Sequence, residues 1–144
     1  MQVKRWMMVA TIGAVLVLSG CKSDKVAEKY HPAKLEESGQ EGIMKVTLDA
    51  KAAERIGIQT AEVREEMVNG AKRMVMPYGA IMYDPKGNTW TFTNPQPLVY
   101  VRHKIVVENI EGDRVICSEG PAAGTVVVTV GAAELMGAEH KYGH

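Results

Sequence analysis

Short stretches of alternating apolar and polar residues, separated by strong turn signals, fill the sequence after residue 43. Asn69-Gly70 is a residue pair that two-residue β-hairpin loops prefer, and Gly87, in the turn at 84–88, can adopt positive φ. Further turn signals lie at 111–113 and 120–124. Many short strands at this spacing are typical of a small β-barrel or β-roll and not of a parallel sheet. The sequence therefore predicts an all-β domain.

The strands of this domain follow from the residues between the turns. At 89–93, Trp90 and Phe92 face one way and three threonines the other, as in a half-buried strand. The longest strand, 98–107, places Val99, Val101, Ile105 and Val107 on one face. We predict the other strands at 45–48, 58–68, 73–76, 80–83, 114–118 and 125–130.

One short helix is expected before these strands. Asp49 is a good N-cap, residues 50–56 have helical character, and Gly57 suits the left-handed position that ends a helix. A last helical turn is expected at 132–136.

The first 21 residues have the layout of a bacterial lipoprotein signal. Lys4 and Arg5 precede an uncharged, mostly apolar run at 6–18, and Ser19-Gly20 lead into Cys21. The uncharged run through Cys21 is shorter than the roughly 20 residues that a membrane-spanning helix needs. We therefore expect a signal peptide at 1–20 and lipid attachment at Cys21.

The rest of the chain divides by composition. Residues 21–42 are rich in charge, show no apolar period and are expected to form a lipid-anchored flexible tether. The folded domain is expected at 43–139, followed by a C-terminal tail at 140–144. Without residues 1–20 the chain has 17 − 2 = 15 basic residues against 17 acidic ones. This balance gives no electrostatic reason to expect nucleic acid as a partner.

Two parts of the sequence resemble one family. The segment 46–63, VTLDAKAAERIGIQTAEV, and the segment 77–92, PYGAIMYDPKGNTWTF, resemble periplasmic adaptor (membrane fusion) proteins. These proteins serve resistance-nodulation-division efflux pumps, notably the heavy-metal efflux branch. The likeness continues through 100–102, 112–115, 119–120, 124–127 and 131–135. It implies the membrane-proximal domain of such an adaptor, a β-roll with an SH3-like barrel in its C-terminal part.

The departure from this family is large. Members carry a lipoyl-like domain, an α-helical hairpin and a β-barrel between the two segments, but here only 13 residues separate Val63 from Pro77. No long amphipathic helix pair occurs in the sequence. We therefore expect a chain reduced to the membrane-proximal domain, which does not bridge two membranes.

Candidate metal ligands are few. His140 and His144 would share a helix face at their spacing of four, but a solvated tail is the favoured interpretation. Met67, Met74, Met76 and Met82 bear soft thioethers that suit Cu(I), yet packing in a core is favoured for Met74 and Met76. We predict neither a metal site nor a cofactor.

No catalytic motif is recognisable, and we do not expect an enzyme. Asp84 and Asp113 lie in turns, where carboxylates cap backbone groups. His103 falls on the apolar face of its strand and is expected to be partly buried. Cys117 shares a face with Val115 and is expected to be a buried small apolar residue.

Three functions follow as hypotheses. The first is a lipid-anchored accessory adaptor that binds an inner-membrane efflux transporter or a full-length adaptor and positions it without catalysis. The second is a periplasmic lipoprotein that buffers or delivers Cu(I), Ag(I) or Zn(II), and the third is the remnant of an internally deleted adaptor. In each case the protein is held at a membrane and faces the periplasm. Lys22, in place of the aspartate that retains lipoproteins at the inner membrane, favours the outer membrane, whereas the family favours the inner one.

Overall fold

A computed structural model describes residues 30–142 of the chain. Most of these residues lie in ten β-strands, and two α-helices and one 3-10 turn complete the fold. The strands are β1 (Ala33–Glu37), β2 (Met44–Leu48), β3 (Gln59–Glu62), β4 (Arg64–Val68), β5 (Ala71–Pro77), β6 (Met82–Tyr83), β7 (Thr89–Gln96), β8 (Val99–Glu111), β9 (Arg114–Glu119) and β10 (Val126–Val130). The helices are α1 (Ala50–Ile56) and α2 (Ala132–Tyr142), and the 3-10 turn is Tyr78–Ala80.

All ten strands belong to one curled antiparallel sheet. Its main path runs β3-β10-β7-β8-β9-β5-β4, while β1 and β2 extend from β8 and β6 pairs with β7. The two ends of the main path, β3 and β4, are consecutive in the chain and are separated by Val63 alone. Val63 is buried, and its N–H donates to the Thr125 carbonyl at 2.9 Å. The sheet therefore curls until its first and last strands meet at one residue.

The 13-residue strand β8 joins the two halves of the sheet. At Val99 and Val101 it pairs with β7 on one edge and with β2 on the other, and from Val106 onward it pairs with β9. The register shifts between Val106 and Asn109. Such irregularities bend a strand, and here the bend directs the second half of β8 into the part of the sheet formed by β4, β5 and β9.

Two apolar cores lie on opposite faces of the central strands. β10 contributes to both, because Val128 packs in the first core and its neighbour Val127 in the second. The first core contains Ala33, Val46, Leu48, Phe92, Tyr100, Val128, Ala132 and Leu135. The second core contains Val63, Met76, Ala80, Ile81, Ile105, Val115, Cys117 and Val127. The first core draws on residues from both ends of the described chain, from Ala33 to Leu135, whereas the second core lies between Val63 and Val127.

The predicted caps and the predicted hairpin are confirmed. The Asp49 carboxylate accepts a hydrogen bond from the Lys51 N–H at the start of α1, and Gly57 ends the helix at φ 71°. Asn69 and Gly70 have φ of 50° and 80° and connect Val68 to its partner Ala71. Positive φ at both loop positions is the geometry of a type I′ turn, which explains the preference for this residue pair.

The turn at 84–88 is built around one carboxylate. Asp84 accepts hydrogen bonds from the Lys86 N–H, the Asn88 N–H and side-chain amide, and the Trp90 indole N–H. These bonds, above all the one from the Asn88 side chain, hold the pKa of the Asp84 carboxyl below its usual range. The capping role predicted for Asp84 is therefore confirmed.

The expectation of a flexible tether at 21–42 is wrong for the second half of this range. Residues 33–37 form β1, which pairs with all five residues of β2, and Ala33 is buried in the first core. Ser38 closes the connection by donating its hydroxyl to the Ile43 carbonyl at 2.7 Å. The five residues of β1 include three charged ones, so their sequence does not predict a strand. They form one because the backbone of β2 provides hydrogen-bond partners along its edge. The folded domain therefore begins before residue 43.

The helical turn expected at 132–136 is present but continues further, so the expectation of a tail from residue 140 is wrong. α2 runs to Tyr142, although Gly137 lies within it and disfavours a helix. Leu135 is fully buried and Met136 and Ala138 pack against the first core. Tertiary packing of this face stabilises a helix that local propensity does not predict.

Three strands differ in detail from the prediction. The strand expected at 58–68 is divided at Val63 into β3 and β4, and the one at 80–83 begins as a 3-10 turn. In β8, Ile105 and Val107 do pack on the second core, but the opposite face buries Tyr100 and Arg102. β8 is therefore covered on both faces. The alternation of apolar residues in its sequence indicated only the face that packs on the second core.

Candidate interaction surface

The outer face of β4, β5 and β9 carries apolar residues beneath charged ones. Arg64 of β4 lies opposite Val75 of β5, which in turn lies opposite Ile116 of β9. Val75 is 5% exposed and Ile116 is 1% exposed, although neither belongs to the two cores. This face of the sheet therefore has an apolar floor of its own, separate from the two cores.

A groove opens over part of this floor. Its volume is about 250 Å³, and it lies where β3 passes into β4 beside the turn between β8 and β9. Its apolar lining residues are buried or half-buried and form the base, whereas most of its charged residues, of both signs, are exposed and form the rim. The lining residues are Ala61, Glu62, Arg64, Glu66, Val75, Met76, Pro77, Asp113 and Arg114.

Ion pairs order one side of the rim. Arg114 bonds Glu66 across the groove, and its Nη1 lies 2.9 Å from Oε2 of Glu111. Arg73 of β5 pairs with Glu108 of β8 across the intervening strand β9. These side chains are exposed or half-exposed, so each pair contributes about 1 kcal/mol or less to stability. Their effect is to fix the position of the charges around the groove.

The other side of the rim is not neutralised. Among the ion pairs within residues 30–142, none includes Arg64, Glu62 or Asp113. Arg64 is exposed on β4, which pairs with β5 and is the last strand of the main path. A groove with an apolar base, fixed charges and free charges at one edge is suited to binding a protein segment of complementary charge.

Sequence reasoning did not find this surface. Its residues come from three separated stretches, 61–66, 75–77 and 113–114, and each is unremarkable as a local pattern. Only the curl that brings β3, β5 and the β8–β9 turn together creates the groove. The turn prediction at 111–113 was the one local signal for a part of it.

A buried ion pair on the other side of the domain was missed as well. Nε of Arg102 lies 3.1 Å from Oε2 of Glu139, and the two side chains are 10% and 4% exposed. The two atoms are within ion-pair distance but are not aligned as a hydrogen bond. Buried charges need further partners because their desolvation is costly.

These further partners come from the backbone and from an aromatic ring. Oε1 of Glu139 accepts the Met44 N–H at 3.1 Å, and the Arg102 Nη2 donates to the Gly42 carbonyl at 3.2 Å. The Arg102 guanidinium carbon lies 4.2 Å from the centre of the Trp90 ring. The cluster ties α2 to β2, β7 and β8, and its role is structural.

The candidate metal ligands do not come together in the part of the chain that the structure describes. His140 is exposed, and its Nδ1 lies 2.8 Å from the Met136 carbonyl within α2. His144 lies outside the described residues, so the pair that the spacing of four would allow is not tested. Across residues 30–142, no three His, Cys, Asp or Glu side chains form a group that could hold a metal ion.

The methionines occupy different environments. Met76 is buried in the second core and Met74 packs against it, as predicted for core residues. Met82 packs against the first core instead, and Met67 is 66% exposed on β4. The four thioethers therefore do not form one cluster.

Cys117 is fully buried in the second core beside Val115, as the strand pattern predicts. Burial raises the pKa of its thiol to about 11, because the thiolate would lose its hydration. Thiol reagents attack the thiolate, so we expect Cys117 to resist N-ethylmaleimide at pH 7.5 in the folded protein and to react at once in urea. Mass spectrometry of the adduct measures this, and rapid labelling without denaturant would contradict the packing described.

The remaining site predictions concern single residues. His103 is half-buried, as expected, and lines a second depression together with Pro121. Asp113 contributes its backbone carbonyl, which accepts the Tyr78 N–H at 2.9 Å.

Cys21 lies outside the described residues, and its lipidation stays a prediction. Between residues 30 and 142, neither helix has the length and apolarity needed to cross a bilayer.

Comparisons with known proteins give one structural likeness. No family model matches the sequence, and no curated protein matches it. Among solved structures, the chain is similar to a 180-residue part of SilB from Cupriavidus metallidurans CH34, solved by NMR, that encompasses its N-terminal metal-binding site and its membrane-proximal domain. The identity is 20%, the TM-score is 0.46, and the match covers 58% of this chain and 48% of that one. The chain thus spans about half the length of the SilB fragment, and the likeness assigns no role to any residue above.

Proposed function

We propose that this protein is a lipid-anchored, adaptor-like domain that binds and positions a component of an efflux system at the membrane, without catalysis. The partner is an inner-membrane transporter or a full-length adaptor. The observation that carries the proposal is that the two segments resembling adaptor proteins pack together as one domain. Val46 and Leu48 of the first segment share a core with Phe92 of the second.

The way in which these segments join supports a binding domain over the remnant of a deletion. Val46 pairs with Tyr100, and Ala61 of the first segment pairs with Val127. The short connection in place of the missing domains forms a regular hairpin at Asn69-Gly70. A random internal deletion has no reason to supply a turn of the required geometry or to leave two filled cores.

The alternative of a metal-buffering lipoprotein has less support. Its strongest ligands, Met74 and Met76, contribute to packing in or against the second core, and His140 is exposed on α2. The groove beside Arg64 has instead the mixed apolar and charged character of a protein-binding surface.

The anchor can be tested by removing its attachment site. Cys21→Ser removes the thiol that would carry acyl chains, so we expect nearly all of the protein to leave the membrane fraction and to lose incorporation of labelled palmitate. Cys117→Ala is the matched control, because it removes the other cysteine and should keep both properties. Equal palmitate labelling of the Cys21→Ser variant and the unaltered protein would contradict lipidation at this residue.

The partner surface can be tested by reversing a charge on the rim of the groove. Arg64→Glu places a third unpaired acid beside Glu62 and Asp113, and we expect about tenfold weaker capture of the transporter or adaptor from membranes. Lys104→Glu makes the same charge change at an exposed position on β8 outside the groove. Crosslinking and identification by mass spectrometry measure the capture. Recovery of no efflux component by the unaltered protein would contradict the proposed function. An equal loss of capture in the two variants would show that the groove is not the binding surface.

A further inference from the structure

We propose that the end of the domain that bears Tyr30, Asp49 and Lys51 faces the bilayer surface, and that the turn between β8 and β9 points away from it. This inference rests on the lipid anchor proposed above. It goes further, because it fixes which surfaces of the domain are available to a partner and which are turned toward lipid.

The first step is the length of chain between the anchor and the fold. The sequence suggests a tether to residue 42, which would allow a reach of roughly 75 Å at about 3.5 Å per residue. The structure places Tyr30 on the domain, and only 30 − 21 = 9 residue steps separate it from Cys21. Covalent geometry then limits the distance between Cys21 and Tyr30 to about 30 Å, whatever the conformation of the residues between them.

The second step is where the chain joins the domain. The Tyr30 hydroxyl donates to Oδ1 of Asp49 at 2.9 Å, and the Asp49 N–H donates to the Pro32 carbonyl at 2.9 Å. Both contacts lie at the N-terminus of α1. Leu48 at the same end donates its N–H to the Leu98 carbonyl, immediately before β8 begins. The short connection therefore reaches one defined end of the domain.

The chemistry of this end suits a lipid surface. Tyr30 is 55% exposed, and tyrosine is enriched where protein meets lipid headgroups. Lys51 and Arg55 of α1 are exposed but are offset by Asp49 and Glu54. Because these charges cancel, the covalent connection and not attraction to anionic lipid sets the orientation.

The third step is the direction of β8. This strand leaves the Tyr30 end at Val99 and continues for 13 residues, about 40 Å along the strand, to the turn at Gly112 and Asp113. The groove is lined by Asp113 and Arg114 at the far end of this path. The orientation thus directs the side of the groove formed by Asp113 and Arg114 away from the bilayer, where a partner can reach it.

The test uses the full mature lipoprotein in vesicles of phosphatidylethanolamine and phosphatidylglycerol that contain doxyl-labelled lipid. A fluorophore is attached at Lys51→Cys or, as matched control, at Asp113→Cys; both positions are exposed. Cys117 is buried and does not compete for the label. We expect lipid to quench most of the fluorescence at position 51 and almost none at position 113. The result should be the same in vesicles without anionic lipid.

Each outcome has one meaning. Equal quenching at the two positions, or stronger quenching at position 113, overturns the orientation while the anchor stands. Failure of the protein to float with the vesicles overturns the anchor, and the orientation with it. Insertion of a Gly/Ser spacer of about 20 residues before Tyr30 should abolish most quenching at position 51, because the permitted distance becomes about three times longer. Unchanged quenching with the spacer contradicts the role of the short connection.

Discussion

Glu139→Ala lowers the free energy of unfolding by about 3–5 kcal/mol, because it leaves the Arg102 guanidinium buried without its ion-pair partner. The Met44 N–H loses its acceptor in the same variant. Urea unfolding followed by circular dichroism measures the change. Since α2 is fixed to the sheet partly through this residue, we also expect faster hydrogen exchange in the helix.

The matched control is Glu134→Ala, an exposed position on the same helix, which should change stability by about 0.5 kcal/mol or less. The double variant Arg102→Met with Glu139→Leu tests the cause. It removes both charges and should regain most of the loss, because an apolar pair of similar volume has no unpaired charge to bury. A Glu139→Ala effect no larger than that of Glu134→Ala would show that the pair is not buried as described.

Gly131→Ala is expected to lower the free energy of unfolding by about 3 kcal/mol or more, because a strained backbone and a steric clash both arise at this residue. Gly131 has φ of 92°, which residues with a Cβ rarely adopt. A Cβ there would lie 2.5 Å from Cδ1 of Ile58 and 2.6 Å from Cγ2 of Ile56. Both isoleucines pack against the first core and are stiff at χ1. Thermal unfolding gives the measurement.

Gly124→Ala separates the two penalties. Gly124 has a similar φ of 85°, but a Cβ there meets nothing within 4 Å. Its cost should be the backbone term alone, about 1 kcal/mol. Equal losses in the two variants would mean that the isoleucines move aside at no cost.

The features predicted correctly from sequence are those that a few neighbouring residues determine. Asn69-Gly70 specifies its hairpin because positive φ at two successive positions is a local requirement. Asp49 and Gly57 specify the ends of α1 in the same way, and Asp84 organises a turn from within five residues. Such interactions do not depend on the rest of the fold.

The features that sequence reasoning missed depend on distant residues. β1 is a strand because β2 offers it backbone partners, and α2 is long because its apolar face and Glu139 meet the sheet. The groove exists only where three separated stretches converge. Arg102 illustrates the difficulty best, since a charged residue in a strand is expected in solvent unless its buried partner, 37 positions away, is known.

The meeting of β3 and β4 at Val63 has a consequence for the order of folding. β3 is held in the sheet by β10, whose residues lie more than sixty positions later in the chain, as Ala61 opposite Val127 shows. Pairings of such high contact order form slowly and only after the late residues are available. During synthesis the first half of the chain therefore has no completed core to enter.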